Sequence, residues 1–158
     1  MIRFLLRYVA AVLIAALAIA SAALADEPVY LPSEPLTIET ASGSTISFDA
    51  EIADDDAKRS HGMMFRREMK DSEAMLFIWS QPYEAAMWMR NTFIPLDMLF
   101  IAADGRIVYI ARETVPQSLD VISAGQKVRA VLEIKGGAAA RLGIAEGDRV
   151  QHRFFEGQ

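Results

Sequence analysis

The length of the apolar runs constrains the fold of this chain more than any other feature. After residue 36 these runs are five to seven residues long, which is typical of β-strands and short for buried helices. Residues 36–39 and 46–52 alternate apolar and polar positions around Ser42-Gly43, which predicts a hairpin with one buried face. The later runs that we expect to form strands are 75–79, 85–89, 96–101, 107–111 and 128–134.

Two short helices are predicted among these strands. Acidic residues at 54–56 and basic residues within 58–61 complement the dipole of a helix that ends at Gly62. Residues 138–142 predict one or two further helical turns before Gly143. With eight or nine strands and no repeated alternation of strand and helix, the pattern predicts a mainly β fold, an antiparallel sandwich or barrel-like single domain.

Two turn signals lie beside predicted strands. Asp104-Gly105 predicts a type I′ hairpin turn, in which both central residues have positive φ. Gly147-Asp148 predicts a turn into a last strand at residues 149–155.

The N-terminus predicts a cleavable signal peptide at residues 1–25. Arg3 and Arg7 precede an apolar run at 9–20, and Ala23-Leu24-Ala25 matches the small-residue pattern that a signal peptidase accepts. The alternative is an uncleaved membrane anchor, because the run approaches the lower length limit for a span. We expect cleavage, and therefore a periplasmic or secreted protein without a stable membrane span.

The mature chain is predicted to have an extended leader and one β-rich domain. Residues 26–35 contain three prolines and form the leader, and residues 36–158 form the domain. Removal of two arginines with the signal peptide changes the net charge from −5 to −7, which argues against nucleic acid as a partner. The chain has no cysteine, so its core must be stable without disulfides.

Common catalytic motifs are absent from this sequence. It has no phosphate-binding loop, no glycine-rich dinucleotide fingerprint, no nucleophile elbow and no His-Glu-x-x-His motif. With two histidines and no cysteine, one chain cannot supply three or four nitrogen or sulfur ligands to zinc. We therefore predict no cofactor, and the sequence favours a non-catalytic binding or accessory module of the cell envelope.

The densest information lies between residues 59 and 101, in runs that resemble those of a known family. These runs are Gly-Met-Met-Phe-Arg at 62–66, Met-Trp-Met-Arg-Asn-Thr at 87–92 and Ile-Pro-Leu-Asp at 94–97. In them, and in later matches over most of the mature chain, the sequence resembles the domain of unknown function 192 family. Met63 departs from the family pattern, where leucine is more usual. The resemblance implies a compact, commonly exported β-rich fold and no known activity.

Asp97 is the first candidate for a functional side chain, because it begins an otherwise apolar strand face. An acid in such a place needs a partner, and Arg66 or Arg90 could supply paired hydrogen bonds. The pair would be either a structural salt bridge that holds the turn or part of a ligand site. The predicted binding site, for a small polar ligand or an envelope protein, comprises Arg66, Trp88, Arg90, Asn91, Thr92, Asp97 and Glu133.

Glu133 supports a catalytic alternative. If it faced one cavity with Asp97, the two carboxylates could act as the acid and base of a hydrolase or lyase on envelope carbohydrate or peptide. The simpler interpretation pairs Glu133 with Arg129 on a solvated strand face, since the two residues share that face.

Methionine enrichment raises one further alternative. Seven of the eight methionines lie between Met63 and Met98. Thioethers bind copper(I), so Met87 and Met89 with His61 form a weak candidate copper site. Methionine also fills irregular cores without any metal, and this is the interpretation that we prefer.

Overall fold

Seven strands form one curled sheet in the computed structural model, which describes residues 27–156. The strand order is β5-β4-β6-β3-β2-β1-β7, and every neighbouring pair is antiparallel except β2 and β3. The prediction of a mainly β single domain is confirmed. The strands are β1 Ser33–Glu39, β2 Thr45–Ala53, β3 Glu73–Tyr83, β4 Leu96–Ile101, β5 Ile107–Ala111, β6 Val128–Lys135 and β7 Arg149–Gln151.

Both predicted helices are present. The first, α1, is Asp56–His61, and Asp55 caps it by accepting a hydrogen bond from the Lys58 amide at 2.8 Å. Gly62 ends the helix at φ 49°. The second, α2, is Ala138–Arg141, and a short 3₁₀ turn at Arg153–Phe155 follows β7.

The two edges of the curled sheet meet at one end. Arg106, next to β5, pairs with Arg149 of β7, and the Val150 amide donates to the Gly105 carbonyl at 2.8 Å. A Cβ at position 105 would lie 2.6 Å from the Val150 carbonyl oxygen. Only glycine therefore allows the two edges to approach this closely, and the sheet curls into a half-barrel.

The sheet separates two hydrophobic cores. Alternation along β4 places Leu99 and Ile101 in an inner core, with Leu36 of β1 and Val150 of β7. The opposite face carries a second core that we call the methionine layer. It contains Met63, Met69, Met75, Met87, Met89 and Met98, packed with Phe77, Phe100 and Val131.

Two local predictions were wrong. Residues 85–89 do not form a strand, because Met87 makes only an isolated bridge to Ile122. In the turn after β4, Gly105 has φ 81° while Asp104 does not have positive φ, so the turn is not type I′. The β4–β5 register also shifts by one residue between Phe100 and Ile101, which leaves Val108 without a partner as a β-bulge.

The ends of the domain also differ from the prediction. The first strand begins at Ser33, inside the predicted leader, and the last strand ends at Gln151. The predicted signal peptide lies outside the residues that the structure describes. Within residues 27–156, no helix has the length and hydrophobicity needed to cross a membrane.

Candidate functional site

A cleft of about 270 Å³ opens over the methionine layer, between α1 and the loop that contains Trp88. Glu133 of the interior strand β6 lies in its lining. The lining also includes Asp56, Arg59, His61, Met63, Met64, Trp79, Tyr83, Met87, Trp88, Arg90 and Thr92.

Glu133 is the most unusual group in the cleft. It is only 3% exposed, and its Oε2 atom has no hydrogen-bond partner among residues 27–156. Burial raises the pKa of this carboxyl from 4.5 to about 8, although the nearby Arg66 charge opposes the rise. The side chain is therefore mainly a neutral acid at pH 7, able both to donate and to accept a hydrogen bond.

The mouth of the cleft combines aromatic rings with two arginines. Trp88 is 48% exposed, and the Arg90 guanidinium lies 5.8 Å from its ring centre. Arg59 is held in place, because it donates to Asp56 at 2.5 Å and to the Ile78 carbonyl at 2.7 Å. Within residues 27–156, the Arg90 side chain has neither an ion pair nor a hydrogen bond.

His61, at the end of α1, links the cleft to the leader. Its Nε2 accepts a hydrogen bond from the Val29 amide at 3.3 Å. Burial, and secondarily the charge of Arg66, lowers the pKa of His61. His61 is therefore uncharged at neutral pH and adds no positive charge to the cleft.

Two residues with left-handed backbone fix the loops beside the cleft. Phe65 has φ 66° and Asn91 has φ 55°, and the Phe65 amide donates to the Asn91 carbonyl at 2.8 Å. Asparagine commonly adopts this conformation, whereas a bulky residue such as Phe65 rarely does, at a cost of roughly 1–3 kcal/mol. The two family-like runs thus meet at their left-handed residues.

Arg66 lies outside the cleft and holds the leader. It is buried and donates to both carboxyl oxygens of Glu51, at 2.6 and 2.8 Å. It also donates to the Val29 carbonyl at 2.6 Å, and the Tyr30 ring lies 4.4 Å from its guanidinium. The predicted pairing of Arg66 with Asp97 is wrong, because Glu51 is the partner.

Asp97 is a structural residue that faces the inner core. Its carboxylate accepts hydrogen bonds from the amides of Glu113, Gly137 and Ala139 at 2.7, 3.0 and 2.8 Å. These bonds join the loop after β5 to the start of α2. Asp97 therefore has the structural role that was one of the two hypotheses. Its partners are three backbone amides and not the predicted arginine.

The predicted carboxylate pair is not assembled. In the β4–β6 register, Met98 is opposite Glu133 and Asp97 is opposite Ile134. Residues opposite each other share a face, so Asp97 and Glu133 point to opposite sides of the sheet. The solvated pairing of Glu133 with Arg129 is also wrong, because Glu133 is buried and Arg129 donates to the Trp79 carbonyl.

The remaining predicted residues are divided between the cleft and its supports. Trp88, Arg90 and Thr92 line the cleft together with Glu133. Asn91 is not part of the lining, and its amide nitrogen lies 3.9 Å from the Met64 sulfur. Of the candidate copper ligands, His61 and Met87 line the cleft. Met89 does not, and its sulfur accepts a hydrogen bond from Thr114 at 3.1 Å.

Sequence reasoning missed several important residues. Arg59, Trp79 and Tyr83 line the cleft, and Glu51 binds Arg66. Alternation along β2 held a signal for Glu51, which shares a strand face with the buried Ala53. Across the sheet, Glu51, Met75 and Glu133 form one row on that face, so two acids flank one methionine of the methionine layer.

Comparisons with known proteins agree with this fold. A family model for DUF192, described as uncharacterised, matches residues 37–152. No curated protein matches the chain. A proposed transcription regulator from Sinorhizobium meliloti 1021 has a similar crystal structure, with 41% identity, a TM-score of 0.76, and coverage of 78% of this chain and 95% of that one.

A second crystal structure is similarly close. It is a protein of unknown function from Novosphingobium aromaticivorans DSM 12444, with 43% identity and a TM-score of 0.74. The match covers 77% of this chain and 86% of that one.

Proposed function

We propose that this chain, which belongs to the uncharacterised DUF192 family, is a small-molecule-binding module of the cell envelope. The observation that carries the proposal is the Glu133 carboxyl, buried at the cleft with one oxygen unpaired among the described residues. An unsatisfied buried polar atom costs about 1–3 kcal/mol. A ligand that enters the cleft could supply the missing hydrogen-bond partner.

Binding is favoured over hydrolysis because the cleft has no second carboxylate suited to acid and base work. Among the described lining residues, the other acid is Asp56, which forms an ion pair with Arg59 at 2.5 Å. Hydrolysis of a glycosidic bond ordinarily uses two carboxyl groups on either side of that bond. Asp97, the second acid of the hydrolase or lyase hypothesis, faces the other core.

The envelope location rests on the sequence of residues 1–25, and it is tested by fractionating cells that express a C-terminally tagged chain. A processed protein in the periplasm or medium supports the proposal, and an unprocessed cytoplasmic protein contradicts it. We also propose that nucleic acid is not the ligand, because the chain has a net charge of −5. The description of one structural neighbour as a proposed transcription regulator does not alter this charge argument.

A thermal-shift screen tests the binding function directly. Mature protein is screened against sugars, amino acids, short peptides, organic acids and nucleotides, since a ligand of the folded state raises the melting temperature. Glu133→Met removes both hydrogen-bonding oxygens at the cleft with little change in side-chain size, and Glu84→Met makes the same change at an exposed position outside it.

The proposal predicts a compound that raises the melting temperature of the native protein and of Glu84→Met by several degrees. The shift should be lost or strongly reduced in Glu133→Met, which can no longer form a hydrogen bond with the ligand. If every active compound stabilises the two variants equally, the cleft is not the binding site.

A further inference from the structure

The cleft differs in charge from the rest of the chain. Asp56 and Arg59 neutralise each other, and His61 is uncharged at neutral pH. Arg90 is the remaining cation among the described lining residues, and its guanidinium lies 5.8 Å from the centre of the Trp88 ring. The cleft therefore carries one unpaired positive charge in a chain with a net charge of −5. Such a local excess attracts an anion.

The cleft combines two polar groups with apolar side chains. Arg90 is exposed at the mouth, whereas Glu133 is buried in β6. The ring of Trp88 and the side chains of Met63 and Met87 line the same cleft. Methionine and tryptophan offer polarisable apolar surface, which suits a flat or unsaturated body.

We propose that the ligand is a small monoanion, with its carboxylate or phosphate on Arg90, an apolar body against Trp88, and a hydroxyl or carbonyl oxygen on Glu133. This assignment rests on the proposed binding function and adds the ligand class to it. A guanidinium forms paired, charge-assisted hydrogen bonds with either anion. An ammonium ligand is disfavoured, because it would have to enter past Arg90.

Three probes with one aromatic body test the ligand class. They are 4-hydroxyphenylacetate, 4-hydroxyphenylacetamide and tyramine, which present an anion, a neutral amide and a cation next to the same phenol. Each is titrated into ¹⁵N-labelled mature protein, and the indole N–H signal of Trp88 is followed. Trp88→Phe assigns this signal, because Trp79 is the other tryptophan in the chain.

We expect the carboxylate to bind about tenfold more tightly than the amide, which is the size of one charge-assisted contact. Arg90→Gln should abolish this preference. Arg67→Gln is the matched control, because Arg67 is exposed, stacks 4.8 Å from the Phe93 ring and lies outside the cleft. Its preference should equal that of the native protein.

The outcomes separate this inference from the proposed function. Equal binding of the three probes, a preference for tyramine, no response of Trp88 to any probe at millimolar concentration, or an unchanged preference in Arg90→Gln would overturn the inference. If the thermal-shift screen then gives neutral ligands that depend on Glu133, the proposed function stands without it. If no ligand depends on Glu133, both fail.

Discussion

Glu133 and Asp97 are both buried acids on adjacent strands, yet their surroundings give them different roles. Asp97 accepts three backbone hydrogen bonds, which satisfy a carboxylate. Glu133 has an unpaired oxygen in the methionine layer and lines an open cleft. Hydrogen-bond satisfaction, rather than burial, therefore distinguishes the structural acid from the candidate ligand-binding acid.

The neutral acid at position 133 predicts a stability that falls as pH rises. The folded protein keeps a proton on Glu133 up to its pKa of about 8, while the unfolded chain loses that proton near 4.5. The contribution of this group is therefore complete below pH 4.5 and is lost as pH rises through 8, at up to about 1.4 kcal/mol per pH unit.

Urea unfolding of the native protein and of Glu133→Gln at pH 5 and pH 8 measures this effect. Glutamine mimics the neutral acid at both values. We expect the native protein to lose roughly 2 kcal/mol or more relative to the variant between them. Free energies of unfolding that change in parallel would contradict a neutral Glu133.

Asp97→Asn should destabilise the protein without changing the cleft. The asparagine NH2 group replaces one carboxylate oxygen, so that a donor faces a backbone N–H group and one hydrogen bond is lost. We therefore expect a loss of about 2–3 kcal/mol in the free energy of unfolding. Urea denaturation measures the loss, and the thermal-shift compounds should still bind the folded variant. Loss of binding without loss of stability would contradict this structural role and would indicate that Asp97 belongs to the binding site.

The sequence predicted which residues belong to the candidate site better than it predicted their burial and their partners. The sequence led us to Trp88, Arg90, Thr92 and Glu133, which do meet in one cleft. It could not show that Glu133 is buried. An arginine and a glutamate four residues apart on one strand share a face, and this pattern is typical of a solvated ion pair. Nor could it show the partner of Arg66, since Glu51 is fifteen positions away and reaches it through the sheet.

At the scale of the elements, the leader and the loops depend on one buried ion pair. Arg66 and Glu51 together bind three groups of the leader, through the Val29 carbonyl, the Leu31 amide and the Tyr30 ring. The leader is therefore part of the folded domain at these residues. His61 joins it to the cleft, so the position of the leader is coupled to the wall formed by α1.

Closure of the half-barrel should depend on Gly105. Alanine at this position would place its Cβ 2.6 Å from the Val150 carbonyl oxygen, in addition to the strain of φ 81°. Gly43 is the matched control, because it has φ 84° and no atom near its missing Cβ. Both substitutions carry the backbone strain, and only Gly105→Ala adds the clash.

We expect Gly105→Ala to lose about 2 kcal/mol more free energy of unfolding than Gly43→Ala, measured by urea denaturation. Equal losses in the two variants would mean that the β5 and β7 edges do not need their close approach.

Elements were predicted well where the local pattern decided them. Alternation in β1 and β2 and the charge order around α1 are local signals, and all three elements form as expected. Residues 85–89 have the composition of a strand but lack a partner strand, because β3 and β4 both pair with β6. Pairing depends on the whole sheet, so composition alone overestimated the number of strands.

At the scale of the molecule, the sheet separates the inner core from the proposed binding cleft. Its inner face encloses the core that all seven strands share, and its outer face carries the methionine layer and the cleft. The sequence predicted the class of fold but not this division, because apolar residues occupy both faces of β4 and β6. Strands buried on both sides lose the alternation that would assign each face.

Methyl NMR of the mature protein tests the ligand-binding cleft most directly. Its methionine methyl groups lie in the methionine layer or beside it. Those of the cleft lining belong to Met63, Met64 and Met87, whereas Met69, Met75 and Met98 are not part of the lining. On addition of a compound that raises the melting temperature, we predict shifts of the first three methyl signals together with the Trp88 indole signal. Shifts confined to Met69, Met75 and Met98, or to none of these methyl groups, would contradict a binding site over Glu133.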